Sequence, residues 1–394
     1  MLPSGGAASS EKRAPGVRLR QPLHLLHVFP TFDLGGAQTR VVTLANALGG
    51  RYRHTVFALD GKFGAARLFD AGLRCDLETL ALAPSGSLHL GNVMKARGLL
   101  RKLRPDLLLT YNWGSIEWAL ANWLRPICRH IHGEDGFGPD ESPLRQLRRR
   151  VIMRRIALHR CAHVIVPSHT LYDLATQLWR LSPAQVMYLP NGIDCTRFDR
   201  PPDAGLLAEI GVPDGVPVIG TVAALRPEKN LLRLVTEFAQ LPPALGAWLL
   251  IVGDGPQRDM LAAAAAQLGI ADRVAFAGAV MAPERLIGRF DVFALSSNTE
   301  QMPYSVLEAM ASGRAIAATD VGDVKRMVAA ENAPFVVPAD EEHALTTALG
   351  ALLADEARRT RIGNANRERV RAEYALETMI RRYDALFSAV GRAD

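Results

Sequence analysis

A chain of 394 residues exceeds the roughly 250–300 residues at which one hydrophobic core usually divides, so two domains with a cleft between them are expected. With 48% hydrophobic and 22% charged residues, the composition is that of a globular protein and excludes a disordered one. A net charge of +6 and an isoelectric point near 9.3 favour anionic partners such as nucleotides, phospholipid head groups or nucleic acid, without choosing among them.

Residues 1–21 mix Gly, Ser, Pro and basic side chains but lack the apolar run of a signal peptide, and are expected to form a disordered basic tail. No uncharged apolar stretch reaches the roughly 18 residues of a membrane span. A cytoplasmic protein, at most peripheral at the inner face of the cell membrane, is therefore expected. Cys75, Cys128, Cys161 and Cys195 are spaced too widely for paired metal ligands and are read as reduced core thiols.

Short runs rich in Val, Ile and Leu then alternate with amphipathic stretches, the pattern of parallel sheets covered by helices on both faces. The runs at 24–29, 54–59, 106–111, 129–132, 163–167 and 186–189 define a first domain over 22–195. A Pro-, Gly- and Asp-rich junction interrupts any regular element and places a linker at 196–216. Further runs at 217–222, 247–252, 273–277, 292–295, 315–318 and 335–337 define a second domain over 217–374. A last helix within 375–394 is free to pack on either domain. The expected fold class is thus α/β: two Rossmann-like, doubly wound parallel-sheet domains facing a central cleft, with ligands in the loops after the strands.

Gly35 and Gly36 follow the first run and open a helix, where close backbone approach and free amides suit a phosphate; a plain strand-to-helix turn accounts for them equally well. Arg226 and Lys229 lie in the loop after the first run of the second domain. There they can neutralise charge on a departing nucleoside diphosphate in place of a metal ion, or serve as solvated charges capping a helix. Gly253 lies in a tight turn bordering the same pocket. In the segment 296–313, Pro303 suits a helix start and Gly313 a helix end. Glu300 then falls in a loop and Glu308 inside the helix, so that one carboxylate can face a sugar and the other a ribose. In the first domain, Asn112, Trp113, His132, Glu134 and Asp135 combine polar and aromatic groups in loops after strands, as a sugar cleft would. A structural histidine and solvated carboxylates are the alternatives. The arginine-rich run from Leu144 to Arg160 offers either a basic amphipathic helix for an anionic membrane or an ordinary exposed face. No aromatic stacking series accompanies it, so nucleic acid is not expected.

These segments, in this order, resemble glycosyltransferase family 4, the retaining enzymes with the glycosyltransferase-B fold, over about residues 24–388. The likeness rests on Gly35-Gly36, Pro190-Asn191-Gly192-Ile193-Asp194, the loop 225–230, Gly253-Asp254-Gly255-Pro256, and the spacing of Glu300 and Glu308. It implies that Lys229 and a neighbouring arginine hold the donor diphosphate, that Glu300 contacts the donor sugar and Glu308 the ribose, and that His132 lies near the transferred sugar. Gly35, Gly36, Gly253, Gln301, Met302, Pro303 and Tyr304 join the donor side, and Asn112, Trp113, Glu134 and Asp135 the acceptor side. It further implies a nucleoside-diphosphate sugar as substrate, a glycan or lipid-linked acceptor in surface polysaccharide synthesis, no metal and no cofactor. The resemblance also implies that the leaving phosphate takes the acceptor's proton. Two departures stand out: Ala224 occupies the place of the usual diphosphate arginine, with Arg226 two residues on, and Gln301-Met302 replaces the usual glycine and its apolar neighbour. Ala224 keeps open a non-catalytic nucleotide-sugar-binding partner. An epimerase of similar architecture is the third reading, against which the two glutamates argue.

Overall fold

In the first domain the apolar runs become strands because helices bury them from both sides. The computed structural model describes residues 21–80, 88–138, 140–143 and 145–392; the tail expected at 1–21 falls outside these but for Gln21, as does Leu144. Strands β1 (Leu23–Phe29), β2 (Tyr52–Ala58), β3 (Cys75–Glu78), β4 (Leu107–Tyr111), β5 (Arg129–Gly133), β6 (His163–Val166) and β7 (Val186–Tyr188) form one sheet in the order β3-β2-β1-β4-β5-β6-β7. The second sheet joins β8 (Val218–Val222), β9 (Trp248–Val252), β10 (Val274–Gly278), β11 (Val292–Leu295), β12 (Ala315–Thr319) and β13 (Val336–Val337) in the order β10-β9-β8-β11-β12-β13. Every strand pairing in both sheets is parallel. Strand order reverses between β1 and β4 and between β8 and β11, so the crevices open at the carboxyl ends of these strands.

Three features depart from the sequence reading. Strand β3 carries no apolar run, because it is an edge strand with Asp76, Leu77 and Glu78 exposed. The linker contains a helix, Ala204–Ile210, capped by Asp203, whose Oδ1 accepts from Leu206 N at 3.0 Å. Leu207 of that helix packs with Phe198 and Val212 into the core of the second domain. Of the cysteines, all are free but only Cys161 is a core residue; Cys75, Cys128 and Cys195 are half-buried.

The chain passes between the domains twice, side by side. Ile193 N donates to Tyr374 O at 2.9 Å, and Leu376 N donates to Ile193 O at 3.0 Å. Gly192 is required here, since a Cβ would lie 2.7 Å from the Met379 Cβ. Helix Leu376–Gly391 then lies on the first domain, where Met379, Tyr383, Leu386, Phe387 and Val390 share a core with Val41, Leu44 and Tyr52. Tyr52 Oη anchors it by donating to Asp384 Oδ1 at 2.7 Å.

Candidate active site

The loop after β8 is laid along the turn after β9: Ala223 N donates to Val252 O and Leu225 N to Asp254 O, both at 3.0 Å. Gly253, at φ 136°, leaves no room for a side chain, because a Cβ would overlap the Ala223 carbonyl oxygen. Its residue type is therefore fixed by loop packing. Asn230, in the left-handed region at φ 44°, caps the helix Leu231–Ala239 through its Oδ1. That turn brings Lys229 to the loop after β11. Lys229 Nζ donates to Glu300 Oε1 at 2.6 Å, and Ser297 Oγ donates to the same oxygen at 2.8 Å. The two loops are zipped by Asn298 N to Glu228 O at 2.9 Å and by Ser296 Oγ to the carbonyls of Lys229 and Asn230. Arg226 is exposed and, among the described residues, pairs with no carboxylate.

Pro303 is the N-cap residue of the helix Tyr304–Ala311, which carries Glu308. Burial pushes the Glu308 carboxyl up to about 7; Arg197 opposes this and Glu284 adds to it. The side chains of Gln301, Met302 and Tyr304, expected on the donor, contact the first domain. Gln301 Oε1 accepts from Ser168 Oγ at 3.0 Å. The Met302 sulfur accepts from Asn191 N at 3.2 Å, and Met302 O accepts from Asn191 Nδ2 at 3.1 Å. The Tyr304 ring lies 3.3 Å from where a Cβ of Gly36 would stand, so Gly36 makes room for the second domain at the start of the helix Gly36–Leu48. Gly35 is the extended N-cap residue of that helix, whose first turn receives no side-chain cap.

On the first-domain side, Asn112 takes φ 55°, donates its N–H to Gly133 O at 2.8 Å and accepts from Asp135 N at 2.7 Å through Oδ1. It thereby fixes the loop after β5. His132 is fully buried, with Nδ1 2.8 Å from Thr110 Oγ1. Neither Glu134 nor Asp135 is a solvated carboxylate. Glu134 is fully buried and accepts from Arg154 Nε at 3.3 Å, while Asp135 takes both arms of Arg40 at 2.6 and 2.8 Å. Trp113 stacks over Arg150 and Arg154 at 5.2 and 5.3 Å.

The arginine run is likewise not one basic face. Arg154 is 1% exposed and also donates to both oxygens of Glu141. Arg150 pairs with Glu141 and Asp140, Arg155 donates to Leu178 O, and Arg160 to Trp123 O. Arg145, Arg148 and Arg149 are exposed, with Ile152 and Ile156 beside them on the helix Arg148–Leu158.

Two residues outside the sequence-based set organise the cleft. Buried Arg40 also donates to Asn191 Oδ1 at 2.9 Å, tying the first-domain helix to the interdomain crossing. Its signal is visible in retrospect, since position 40 falls in the apolar stripe of Ala37, Val41, Leu44 and Leu48. Asp323 accepts from His169 N at 2.6 Å, Thr170 N at 3.0 Å and Thr170 Oγ1 at 2.9 Å, a clamp between the domains with no pattern in the sequence to announce it.

Comparison with known proteins gives this geometry a lineage. Residues 34–197 match the model of Glycosyltransferase Family 4, and residues 206–369 that of Glycosyl transferases group 1. The chain is 30% identical to a GDP-mannose-dependent alpha-(1-6)-phosphatidylinositol monomannoside mannosyltransferase of Mycobacterium tuberculosis, over 88% of this chain and 92% of that protein. It is 28% identical to a 2-deoxystreptamine N-acetyl-D-glucosaminyltransferase of Streptomyces fradiae, over 92% of this chain and 93% of that protein. Its fold is similar to that of Anabaena HepE, solved in complex with UDP and glucose, with a TM-score of 0.78 at 19% identity over 93% of this chain and 100% of that one. The chain belongs to glycosyltransferase family 4 and is a glycosyltransferase with the two-domain glycosyltransferase-B fold.

Proposed function

We propose that the protein moves a hexose-type sugar from a nucleoside-diphosphate sugar to a hydroxyl of a glycan or lipid-linked acceptor, with retention of configuration and without a metal ion, in surface polysaccharide synthesis. The observation that carries this reading is the contact of Lys229 Nζ with Glu300 Oε1 at 2.6 Å, between the loops at the β8/β11 switch point. A ligand joining a diphosphate to a polyhydroxylated ring matches both partners, the ammonium meeting the phosphate and the carboxylate accepting from a sugar hydroxyl. In the reaction, the bond from the sugar's anomeric carbon to the phosphate oxygen breaks while the acceptor oxygen bonds to that carbon on the same face. The acceptor's proton passes to the departing diphosphate, whose growing charge Lys229 and Arg226 neutralise. Arg226 stands in for the arginine absent at Ala224, and Glu308 accepts from the ribose hydroxyls.

The relatives' names support the donor class, since they include a GDP-mannose-dependent mannosyltransferase and an N-acetyl-D-glucosaminyltransferase. The phosphatidylinositol monomannoside in one of them supports a lipid-linked acceptor. Arg148, Arg149, Ile152 and Ile156 are the groups that would meet an anionic membrane at the inner face of the cell membrane; among the described residues no helix is long and apolar enough to cross one. A panel of UDP- and GDP-sugars, assayed for transfer and for sugar release with and without a chelator, tests the reading. Selective turnover that survives chelation, with the donor's anomeric configuration kept in the product, is expected. A folded protein that turns over none of them, or that needs a divalent ion, refutes it.

A further inference from the structure

Behind His132 lies a chain of buried polar groups to which the proposed reaction gives no role. Thr110 on β4 stands in register with His132 on β5, and its hydroxyl faces two imidazoles, His132 Nδ1 at 2.8 Å and His130 Nε2 at 2.7 Å. On its far side, His130 Nδ1 lies 3.2 Å from Cys161 Sγ. All four residues are buried. A hydroxyl has a single proton, so it can donate to only one of these nitrogens and must accept from the other. The whole chain therefore runs one way or the other, and its direction fixes which nitrogen of His132 carries hydrogen.

One end selects a direction and the other is compatible with it. His132 Nε2 is 3.7 Å from Glu134 Oε2, where an N–H is attracted and a bare lone pair is repelled. At the other end, a thiol can donate its S–H to His130 Nδ1. Burial holds His130 down to about 3, so its ring is neutral and has one donor and one acceptor nitrogen. His132 Nε2 and Glu134 Oε1 are both buried without a hydrogen-bond partner among the described residues, so each has bonding capacity to spare.

We propose that Cys161, His130 and Thr110 are positioning residues that hold His132 in the tautomer protonated at Nε2. Cys161 S–H donates to His130 Nδ1, His130 Nε2–H to Thr110 Oγ1, and Thr110 O–H to His132 Nδ1, leaving the His132 Nε2–H and Glu134 to receive one substrate hydroxyl. Only this last contact rests on the proposed function.

The test is long-range proton–nitrogen correlation NMR on protein labelled with 15N-histidine, with the His132 signals assigned by their loss in His132→Asn. In the wild-type protein His132 is expected to be protonated on Nε2 alone. Thr110→Val and Cys161→Ala are each expected to give a mixture of tautomers, and Thr110→Ser and Cys161→Ser to restore the single one. Thr110→Val leaves two buried rings short of a partner and is the variant at risk of misfolding; Cys161→Ala removes only the far end and keeps the test open. Protonation of wild-type His132 on Nδ1, or a tautomer unmoved in both relay-breaking variants, overturns the relay. This reading needs no donor and stands apart from the assay of function. With an active donor in hand, Cys161→Ala is expected to lower kcat roughly fivefold, the worth of one neutral hydrogen bond, at unchanged donor KM; an unchanged kcat overturns the substrate contact.

Discussion

Replacing Glu308 by Gln separates what this carboxylate costs the fold from what it gives the ligand. Its pKa is raised from 4.5 to about 7, chiefly by burial, so the native chain keeps a proton there through a range in which the unfolded chain has lost it. Native stability is therefore whole below about pH 4.5, falls as the pH rises towards 7, and stays lower above it. At about 1.4 kcal/mol for each pH unit this is about 3 kcal/mol at most, and because Glu308 is partly exposed, water screens it to about 1–2 kcal/mol. Glu308→Gln is expected to be more stable than wild type by that amount at pH 8 and equal to it near pH 4.5, by urea denaturation. His54, held down to about 4, and His130, held down to about 3, act oppositely, lowering stability as the pH falls below 6.5, but both proteins share them and they cancel in the difference. Since ribose hydroxyls donate to an ionised carboxylate, nucleoside diphosphate binding to wild type near pH 7 is expected to release a proton, seen calorimetrically in buffers of different ionisation enthalpy. Glu308→Gln loses both the release and most of the affinity. A variant no more stable than wild type at pH 8, or one that binds as well, refutes the reasoning.

Lys229→Ala is expected to lower kcat by about 10²–10³ with little change in donor KM, because the charge it meets develops in the transition state; a raised KM at unchanged kcat contradicts this. Arg40→Met leaves the partly buried Asp135 beside no cation and is expected to cost about 3 kcal/mol in urea denaturation; adding Asp135→Leu is expected to recover most of it, and failure to do so means the pair is not the source of the loss. Gly253→Ala combines a backbone at φ 136° with overlap on the Ala223 carbonyl. It is expected to cost well over about 1 kcal/mol and to weaken nucleotide binding by displacing the loop that holds Lys229; a variant as stable as wild type shows that the turn is not constrained.

The strands were legible because both faces of each sheet are covered, which writes continuous apolar runs such as 249–252 and 292–295 into the chain. Strand β3 has solvent over most of its length and so wrote none. The loops after β8 and β11 announced themselves by placing Lys229 and Glu300 directly after strands, and the two side chains do meet. Arginines were the harder case. Arg40 lies in the stripe of Ala37, Val41 and Leu44, and Arg154 in the stripe of Val151, Ala157 and Leu158. A cation on an apolar stripe must find a carboxylate inside, and Asp135, Glu134 and Glu141 are those carboxylates. Their partners lie far away in sequence, so the stripe shows that a pair exists without showing which residue completes it. Asp323 had no such stripe, because its partners are the amides of His169 and Thr170.

Gln301 and Met302 show how side chains next to Glu300 also serve the packing of one domain on the other. Sequence places them beside Glu300, yet their side chains bond Ser168 and Asn191 across the cleft. The Asp323 N–H, from the same residue that clamps His169 and Thr170, donates to Gln301 O at 2.9 Å, and Gly322 lies against the Glu300 carbonyl with no room for a Cβ. The loop that presents Glu300 is thus held from beneath by the turn after β12 and from across by the first domain. Domains cannot separate at this edge without breaking the Ser168, Asn191 and Asp323 bonds, each worth about 0.5–1.5 kcal/mol or more, and every one of those bonds ends on the Glu300 loop or on the turn supporting it. Closure of the cleft and placement of the Glu300 carboxylate are therefore governed by the same few contacts, which accounts for side chains at 301 and 302 that reach the other domain.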